Sequence, residues 1–301
     1  MKKFSILKGS KLISKKEWDN NINSIESSIE YSKLINDKII AKHLIKESLT
    51  DSIMIRSNKK FGVLLSGGLD SSLIALICKN LDRDFNCYSI GLEGSTDLWY
   101  ANKVASLLNL KLKTKMLILN EVENYLKKCI KLLKTRDVVK LEIAVTMYAA
   151  FELASKDNCK LLFAGGGSEE IFAGYEKHIG FLKKGGFEEV YKESWDGLRS
   201  CYDRDISRDY LISQKLKINL LLPFLDINFI RTVMNIHPKL KISSNEKKII
   251  LRDLALDLGL TKDIASRKRT AAQYGSRISH AILKLSKKNG FKYKQDYINS
   301  L

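Results

Sequence analysis

The segment from Phe61 to Ser72, Phe-Gly-Val-Leu-Leu-Ser-Gly-Gly-Leu-Asp-Ser-Ser, joins an apolar run to a loop of glycines and hydroxyls. The apolar run predicts a buried strand, and the residues after the loop predict a helix. Two adjacent glycines allow a tight turn and a close approach to an anion, while hydroxyls and helix-start N–H groups supply donors. The pattern is neither a Walker A loop nor a dinucleotide-binding fingerprint. The segment therefore predicts a strand, a phosphate-binding loop and a helix.

Strand-like and helix-like segments alternate beyond this loop. The predicted strands are 61–65, 86–91, 112–118 and 160–164, and the predicted helices are about 71–80, 98–109, 120–134 and 141–155. Such alternation predicts an α/β fold in which a parallel sheet is flanked by helices. The chain after the second glycine loop, near residue 170, is mostly helical in pattern.

The first 58 residues have helical periodicity and predict a helical lead-in packed on the core, followed by one main domain at 59–301. The positions expected to line the buried face of the lead-in are Ile22, Ile25, Ile29, Ile39, Ile40, Leu44, Ile45 and Leu49.

A second glycine loop lies in the stretch Ala164–Tyr175, Ala-Gly-Gly-Gly-Ser-Glu-Glu-Ile-Phe-Ala-Gly-Tyr, directly after the strand predicted at 160–164. Ligands of open α/β sheets bind at the carboxyl ends of strands. We therefore expect the two glycine loops to face one crevice.

These loops resemble known motifs. The first is similar to the Ser-Gly-Gly-x-Asp-Ser loop of PP-loop ATP pyrophosphatases, and the second resembles the Gly-Glu-Gly-Ser-Asp-Glu-x-Phe-Gly-Gly-Tyr stretch of asparagine synthetases. Further segments that resemble this family follow in the family's order: Tyr88–Gly91 with Asp97, Leu222–Asp226, Lys248–Arg252 and Arg267–Gly275.

The chain thus resembles the synthetase domain of asparagine synthetases, in a stand-alone form. The resemblance implies a PP-loop fold, like that of the adenine nucleotide α-hydrolases, that uses ATP and Mg²⁺ to adenylate a small carboxylate, with aspartate expected. Ammonia or another amine then forms the amide. Met1 is followed by Lys2, and only about 58 residues precede the first loop. Because the family's N-terminal glutaminase domain is missing, we expect free ammonia, another amine or a separate glutaminase subunit as the nitrogen source.

The resemblance also implies roles for individual residues. Nucleotide binding is expected of Leu64, Leu65, Ser66, Gly67, Gly68, Asp70, Ser71, Ser72, Ile90 and Gly165. Asp70 and Glu169 are expected to ligate Mg²⁺, since both offer hard carboxylate oxygens. Lys248 and one of Lys268 or Arg269 are expected to stabilise phosphate charge in the transition state.

Three positions depart from the family pattern. Gly166 stands where asparagine synthetases carry a glutamate that helps to deprotonate the amine, so either Glu170, Glu142 or a bound water serves instead, or the acceptor chemistry differs. Arg269 stands where the catalytic lysine aligns, with Lys268 beside it. Leu221 replaces an arginine that is usual two residues before the proline of Pro-Phe-Leu-Asp.

The net charge of +18, from 52 Lys and Arg against 34 Asp and Glu, leaves an alternative open. A positive field attracts ATP, acidic substrates or nucleic acid, and a PP-loop enzyme that modifies tRNA shares the first loop. A non-catalytic nucleotide-binding subunit is a third reading, motivated by Gly166 and Arg269.

Other sequence features narrow the class of protein. Five separated cysteines without a Cys-x-x-Cys pair predict buried, reduced thiols rather than disulfides or a zinc site. Lys8 and Lys11 interrupt the apolar core that a signal peptide needs, and no 18-residue uncharged apolar run occurs. These features predict a cytoplasmic protein without a membrane segment.

Overall fold

The computed structural model describes residues 6–8 and 11–301, with Leu7 and Lys8 described by their backbone alone. Residues 1–5, 9 and 10 of the predicted lead-in, and the Lys8 side chain, lie outside the described residues. The lead-in contains a small antiparallel hairpin and two helices: β1 Leu7–Lys8, β2 Lys11–Leu12, α1 Lys15–Ser27 and α2 Lys38–Met54. Ser14 and Asp37 accept hydrogen bonds from first-turn N–H groups, which explains why the helices begin there.

The buried face of α2 differs from the predicted one. Ala41, Ile45 and Leu49 are fully buried, as the spacing of four residues requires. Ile39 and Ile40, in contrast, are 77% and 53% exposed. They were predicted to face the core, and this prediction was wrong because, at 3.6 residues per turn, both lie on the side of α2 that is turned away from Ala41, Ile45 and Leu49.

Five strands form one sheet, in the order β5-β4-β3-β6-β7. The elements from its first strand onward are β3 Phe61–Leu64, α3 Leu69–Asn80, β4 Phe85–Gly91, α4 Thr96–Leu108, β5 Lys111–Met116, α5 Leu119–Leu133, α6 Val138–Lys156 and β6 Leu161–Phe163. Strand β3 pairs in parallel with β4 and β6, and β4 pairs in parallel with β5. The parallel sheet with flanking helices confirms the predicted fold class.

The rest of the chain is mostly helical, as predicted. Its elements are α7 Ser168–Ile171, α8 Glu176–Cys201, α9 Ser207–Lys215, β7 Asn219–Leu221, α10 Ile227–Met234, α11 Ile249–Asp257, α12 Lys262–Ala265, α13 Ala272–Gly275, α14 Ile278–Lys288 and α15 Lys294–Ser300. Non-helical backbone at Gly185 and Gly186 interrupts α8, and a π-helical turn, Tyr202–Ile206, follows it. The sequence did not predict β7, because three residues are too few to display an alternating pattern.

The chain divides into two compact units. Unit 1 consists of Met1–Asn58, in its described part, with Gly165–Ser207 and Leu221–Ser266; unit 2 consists of Lys59–Ala164, Arg208–Leu220 and Arg267–Leu301. Strands β3 to β6 and the first glycine loop belong to unit 2, whereas the second loop begins unit 1 at Gly165. The functional division into a lead-in at 1–58 and a synthetase domain at 59–301 stays a prediction.

All five cysteines are buried free thiols. Burial raises the pKa of the Cys87 and Cys129 thiols to about 12, so both are protonated at neutral pH. Among the residues that the structure describes, no helix is both long and apolar enough to span a bilayer.

Lys241 in unit 1 is a buried lysine that is 2% exposed. Burial lowers its pKa from 10.5 to about 7, because an ammonium group is poorly solvated there. The unfolded chain therefore binds a proton between pH 7 and 10.5 that the folded chain does not bind. This difference makes the folded state progressively less stable as the pH falls through that range.

We predict that Lys241→Met raises the free energy of unfolding by roughly 5 kcal/mol at pH 6, since no charge must then be desolvated. The gain should shrink towards zero near pH 10. Denaturant titrations of the wild type and the variant at both pH values measure it. Lys239→Met, at an exposed lysine in the same turn, is the control. An equal gain at both pH values would contradict the prediction.

Candidate active site

The first glycine loop connects the carboxyl end of β3 to the start of α3. Gly67 has φ +68°, and a Cβ atom at this position would lie 2.3 Å from the carbonyl carbon of Tyr100. Glycine is therefore required at this position for both conformation and space. Gly68 is the N-cap of α3 and provides no side-chain cap. The first-turn N–H groups of the helix are thus available to an anion.

The hydroxyl groups of the loop are arranged around this turn. The Oγ atoms of Ser66 and Ser71 lie 3.1 Å apart, and the Ser66 N–H donates to Ser71 Oγ at 3.2 Å. Ser72 is fully buried, and its Oγ has no hydrogen-bond partner among the described residues. Asp70 lies half-buried in the first turn of α3. Small donors on one turn suit a phosphate group, so the loop fits the predicted ligand.

Three apolar residues that are predicted to bind the nucleotide lie at or near the ends of β3 and β4. Leu65 and Ile90 are 1% and 4% exposed, and the Leu65 N–H donates to the Tyr88 carbonyl oxygen at 2.9 Å. Leu64 is half-buried at the end of β3. These three residues lie at the carboxyl end of the sheet in unit 2, whereas Gly165, also predicted to bind nucleotide, belongs to unit 1. Their role as a nucleotide pocket stays a prediction.

Arg267 is the residue of unit 2 that sequence reasoning missed. Its Nη1 donates to the Ser66 carbonyl oxygen at 2.8 Å, and its Nη2 donates to Asp97 Oδ1 at 2.6 Å. Its guanidinium lies 4.2 Å from the ring centroid of Tyr100. Burial raises the pKa of Asp97, and Arg267 opposes this shift. The sequence shows Arg267 as the first residue of the basic segment 267–275, but only the fold shows its contacts with Ser66 and Asp97.

The other basic residues of this segment have a different environment. Lys268 and Arg269 are both exposed, in the irregular stretch between α12 and α13. At the far end of the stretch, Ser95 Oγ donates to the Gly275 carbonyl oxygen at 2.8 Å. The two predicted catalytic cations therefore lie in the exposed part of a segment, residues 267–275, which we call the strap. Contacts of Arg267 and Gly275 hold the strap at its two ends.

The second glycine loop opens α7 in unit 1. Gly167 has φ +96°, and a Cβ atom here would lie 2.3 Å from Leu225 Cδ2. Lys248 Nζ donates to Ser168 Oγ at 2.6 Å and to Glu169 Oε1 at 3.0 Å. Lys248 itself has φ +56° at the N-cap of α11, a conformation that is costly for a lysine. Two residues predicted for the site, Lys248 and Glu169, are thus brought together.

Gly174 makes this buried pair possible. A Cβ atom at Gly174 would lie 1.9 Å from Glu169 Oε2 and 2.4 Å from Lys248 Cε. The backbone of the loop therefore approaches the carboxylate more closely than any other residue type would allow.

Glu170, the predicted proton acceptor, is enclosed by other polar groups. It is 2% exposed, accepts a hydrogen bond from Tyr175 Oη at 2.7 Å and pairs with Arg204. Arg204 Nη2 also lies 3.0 Å from Tyr175 Oη, which completes a triangle of contacts. Burial raises the pKa of Glu170, although Tyr175 and Arg204 oppose this shift. Sequence reasoning missed Arg204, which lies on the π-helical turn after α8.

Glu142, the alternative acceptor, anchors the C-terminus of unit 2. It is 1% exposed, accepts from Ser279 Oγ at 2.9 Å and pairs with Lys294 of α15. Gly166, in contrast, is exposed, and a Cβ atom there would meet only Leu222 Cδ2, at 3.4 Å. Neither a positive φ nor a clash explains a glycine at position 166.

The Pro-Phe-Leu-Asp segment, residues 223–226, contacts α10 and the second glycine loop in unit 1. Asp226 caps α10 by accepting from the Asn228 N–H at 2.9 Å, and it pairs with Arg56 at 2.5 Å. Leu225 contacts the glycine loop as described above.

Comparisons with known proteins place these motifs in a family. The family model for asparagine synthase matches residues 43–185 and 183–288. A Methanocaldococcus jannaschii protein described as asparagine synthetase [glutamine-hydrolyzing] 1 is 32% identical over 289 residues, covering 85% of this chain and 53% of that protein. Asparagine synthetase B [glutamine-hydrolyzing] of Escherichia coli is 29% identical over 237 residues, covering 73% and 42%. The chain therefore spans about half the length of these relatives.

A solved structure, the NH3-dependent NAD synthetase of Campylobacter jejuni, aligns with a TM-score of 0.39 and 14% identity. The alignment covers 88% of this chain and 93% of that one.

We predict that Gly174→Ala separates Lys248 from Glu169 without unfolding unit 1. Both atoms that a Cβ would meet are ends of flexible side chains, so they can move aside. The free energy of unfolding should fall by about 3 kcal/mol, because both groups stay largely buried after they separate. A crystal structure of the variant should place Nζ and Oε1 more than about 4 Å apart.

Gly180→Ala is the matched control, because no atom lies within 4 Å of the added Cβ and α8 gains helix propensity. A Gly174→Ala variant that retains the 3.0 Å contact would contradict the prediction.

Proposed function

This chain belongs to the asparagine synthase family, and from that premise we propose that it is an ATP-dependent amide ligase that releases AMP and pyrophosphate. The single observation that carries the proposal is the built phosphate loop, with left-handed Gly67, uncapped first-turn N–H groups and paired Ser66 and Ser71 hydroxyls. We propose aspartate as the carboxylate and ammonia as the amine, because relatives of this chain are described as asparagine synthetases.

In the proposed first step, an oxygen of the substrate carboxylate attacks the α-phosphorus of ATP, and the bond to the β-phosphate breaks. The loop N–H groups and hydroxyls hold the leaving pyrophosphate by hydrogen bonds that strengthen as its charge develops. Lys248 supplies a buried positive charge in unit 1. Lys268 and Arg269 supply positive charges from the exposed part of the strap in unit 2.

Magnesium, when bound, would neutralise phosphate charge. Asp70 and Glu169 are the proposed ligands, since both present hard oxygen atoms and Mg²⁺ bound with a nucleotide often uses only one or two carboxylates. Among residues 6–8 and 11–301, no group of three or more His, Cys, Asp or Glu side chains forms a metal cluster.

In the proposed second step, the amine nitrogen attacks the acyl carbon, AMP leaves, and one proton leaves the nitrogen. Glu170 and Glu142 are both buried and paired with cations, which makes direct proton acceptance costly. We therefore propose that a bound water accepts the proton beside Gly166.

The proposal is tested by incubating the protein with ATP, Mg²⁺, aspartate and ammonia. AMP, pyrophosphate and asparagine should form in equal amounts. A panel of carboxylates in ATP–pyrophosphate exchange then identifies the acyl substrate. Formation of ADP instead of AMP across the whole panel would refute adenylation.

We predict that Asp70→Asn lowers the rate of pyrophosphate release by about 10²-fold or more, because a neutral amide cannot supply the charge proposed for metal binding. The thermal unfolding midpoint should stay within a few degrees. Asp82→Asn, at an exposed position of the same unit with φ +51°, is the control. An unchanged rate in Asp70→Asn would remove this residue from the site.

We predict that Gly166→Glu accelerates amide formation by about tenfold while pyrophosphate exchange stays unchanged, since the new carboxylate accepts the amine proton. The space described above allows the side chain. Gly180→Glu adds the same charge elsewhere in unit 1 and should have no effect. Equal acceleration in both variants would contradict the proposed role of position 166.

The charge of +18 supports a second candidate, a tRNA-modifying enzyme. The lysines of β5 add little to a positive face, because Lys111, Lys113 and Lys115 each pair with a carboxylate. Steeply salt-dependent tRNA binding together with tRNA-stimulated pyrophosphate release would favour this candidate.

A further inference from the structure

Arg267 has a distinctive environment for a residue of a basic segment. Its side chain is 7% exposed, whereas Lys268 and Arg269, which follow it directly, are exposed. Two of its nitrogen atoms bind the Ser66 carbonyl oxygen and Asp97, and its planar face covers Tyr100. The guanidinium is therefore engaged on two edges and one face inside unit 2.

These contacts join the phosphate loop to the strap. Ser66 begins the loop, and its carbonyl oxygen would repel a phosphate if it were turned towards one. Arg267 binds that oxygen and so holds the peptide in a single orientation. Tyr100, which stacks on Arg267, is also the residue whose backbone packs against Gly67. Arg267 thus contacts both groups that fix the shape of the loop, the Ser66 peptide and Tyr100.

The far side of the same cluster holds the other end of the strap. A Cβ atom at Gly275 would lie 2.2 Å from Asp97 Oδ1, so this segment packs directly on the partner of Arg267. The Leu92 N–H donates to the Ser276 carbonyl oxygen at 3.0 Å. Residues 268–271 therefore lie between two fixed points, and their backbone position depends on the Arg267–Asp97 pair.

A plain structural ion pair is the competing explanation. A buried pair gains little net stability, because desolvation offsets the attraction between the charges. The contact to Ser66 argues for a more specific role, since it reaches a backbone oxygen of the phosphate loop across 201 positions of sequence. A displacement of about 1 Å in a group that contacts the reacting phosphates can cost about 10²-fold in rate.

We propose that Arg267 is a positioning residue that locks the Ser66 peptide of the phosphate loop and sets the place of Lys268 and Arg269 through Asp97 and Tyr100. It acts through these neighbours and does not itself bind phosphate. The kinetic part of this inference rests on the proposed function, but the structural part does not.

The first test measures ATP–pyrophosphate exchange in Arg267→Lys and Asp97→Asn. Lysine keeps the charge but cannot make the forked contact to Ser66 and Asp97. The expected result is a fall in kcat of about 10²-fold with a change in KM for ATP of less than about threefold. Millimolar guanidinium should restore part of the rate to Arg267→Ala. A raised KM with unchanged kcat would mean that Arg267 binds the nucleotide directly, and this would overturn the proposal.

The second test needs no activity. Hydrogen exchange of backbone amides should accelerate by about tenfold in residues 65–72 and 267–272 of Arg267→Lys, while the rest of unit 2 stays unchanged. Arg136→Lys is the matched control, because Arg136 also donates to a backbone carbonyl oxygen in unit 2, that of Ile298. Unchanged exchange in both segments, or faster exchange throughout the unit, would overturn positioning.

The two tests separate the two proposals. If the wild-type protein catalyses no exchange with any carboxylate, the proposed function fails. The hydrogen-exchange result then still decides whether Arg267 fixes the loop.

Discussion

The contact between Gly67 and the backbone of Tyr100 is the constraint on which the phosphate loop depends. With the Cβ position only 2.3 Å from a backbone carbon, no other residue fits without moving α4. This contact lets the chain turn sharply between β3 and α3, so that helix-start N–H groups and the Ser66 and Ser71 hydroxyls are available on one turn. It also places the Tyr100 ring against Arg267. Tyr100 therefore contacts both the turn of the loop and the start of the basic strap.

Each unit uses a glycine to make room for a buried ion pair. In unit 1, Gly174 lies against the pair of Glu169 and Lys248; in unit 2, Gly275 lies against Asp97, the partner of Arg267. Neither glycine needs a left-handed backbone, so space rather than conformational freedom explains the residue type. A buried ion pair is stable only when the two charged groups are well oriented towards each other and make further hydrogen bonds. Ser168 and the Ser66 carbonyl group supply such bonds.

The acidic residues near the second loop divide into two kinds. Glu169 is bound to Lys248, whereas Glu170 is enclosed by Tyr175 and Arg204. Burial raises the pKa of Glu170, while Tyr175 and Arg204 oppose this shift and fix the position of the carboxylate, which suits a role in holding the loop more than in exchanging protons with a substrate. Exposed Gly166 contributes no group at all. The described residues therefore offer more of the groups that the proposed activation of a carboxylate needs than of the groups that the later proton transfer needs.

From the sequence alone, apolar periodicity determined the parallel α/β fold, and closely spaced glycines predicted a phosphate-binding loop. The order of several motifs along the chain indicated the family by resemblance. The sequence also indicated Lys248 and Glu169 as site residues. It did not reveal that Ile39 and Ile40 are exposed, that β7 joins the sheet, or that Arg267 holds Ser66. Those facts were decided by the tertiary structure, since the partners of Arg267 lie 170 and 201 positions away in the chain. Local patterns encode turns and helix faces, whereas close approaches between distant segments, such as that of Gly67 to Tyr100, arise only when the elements pack.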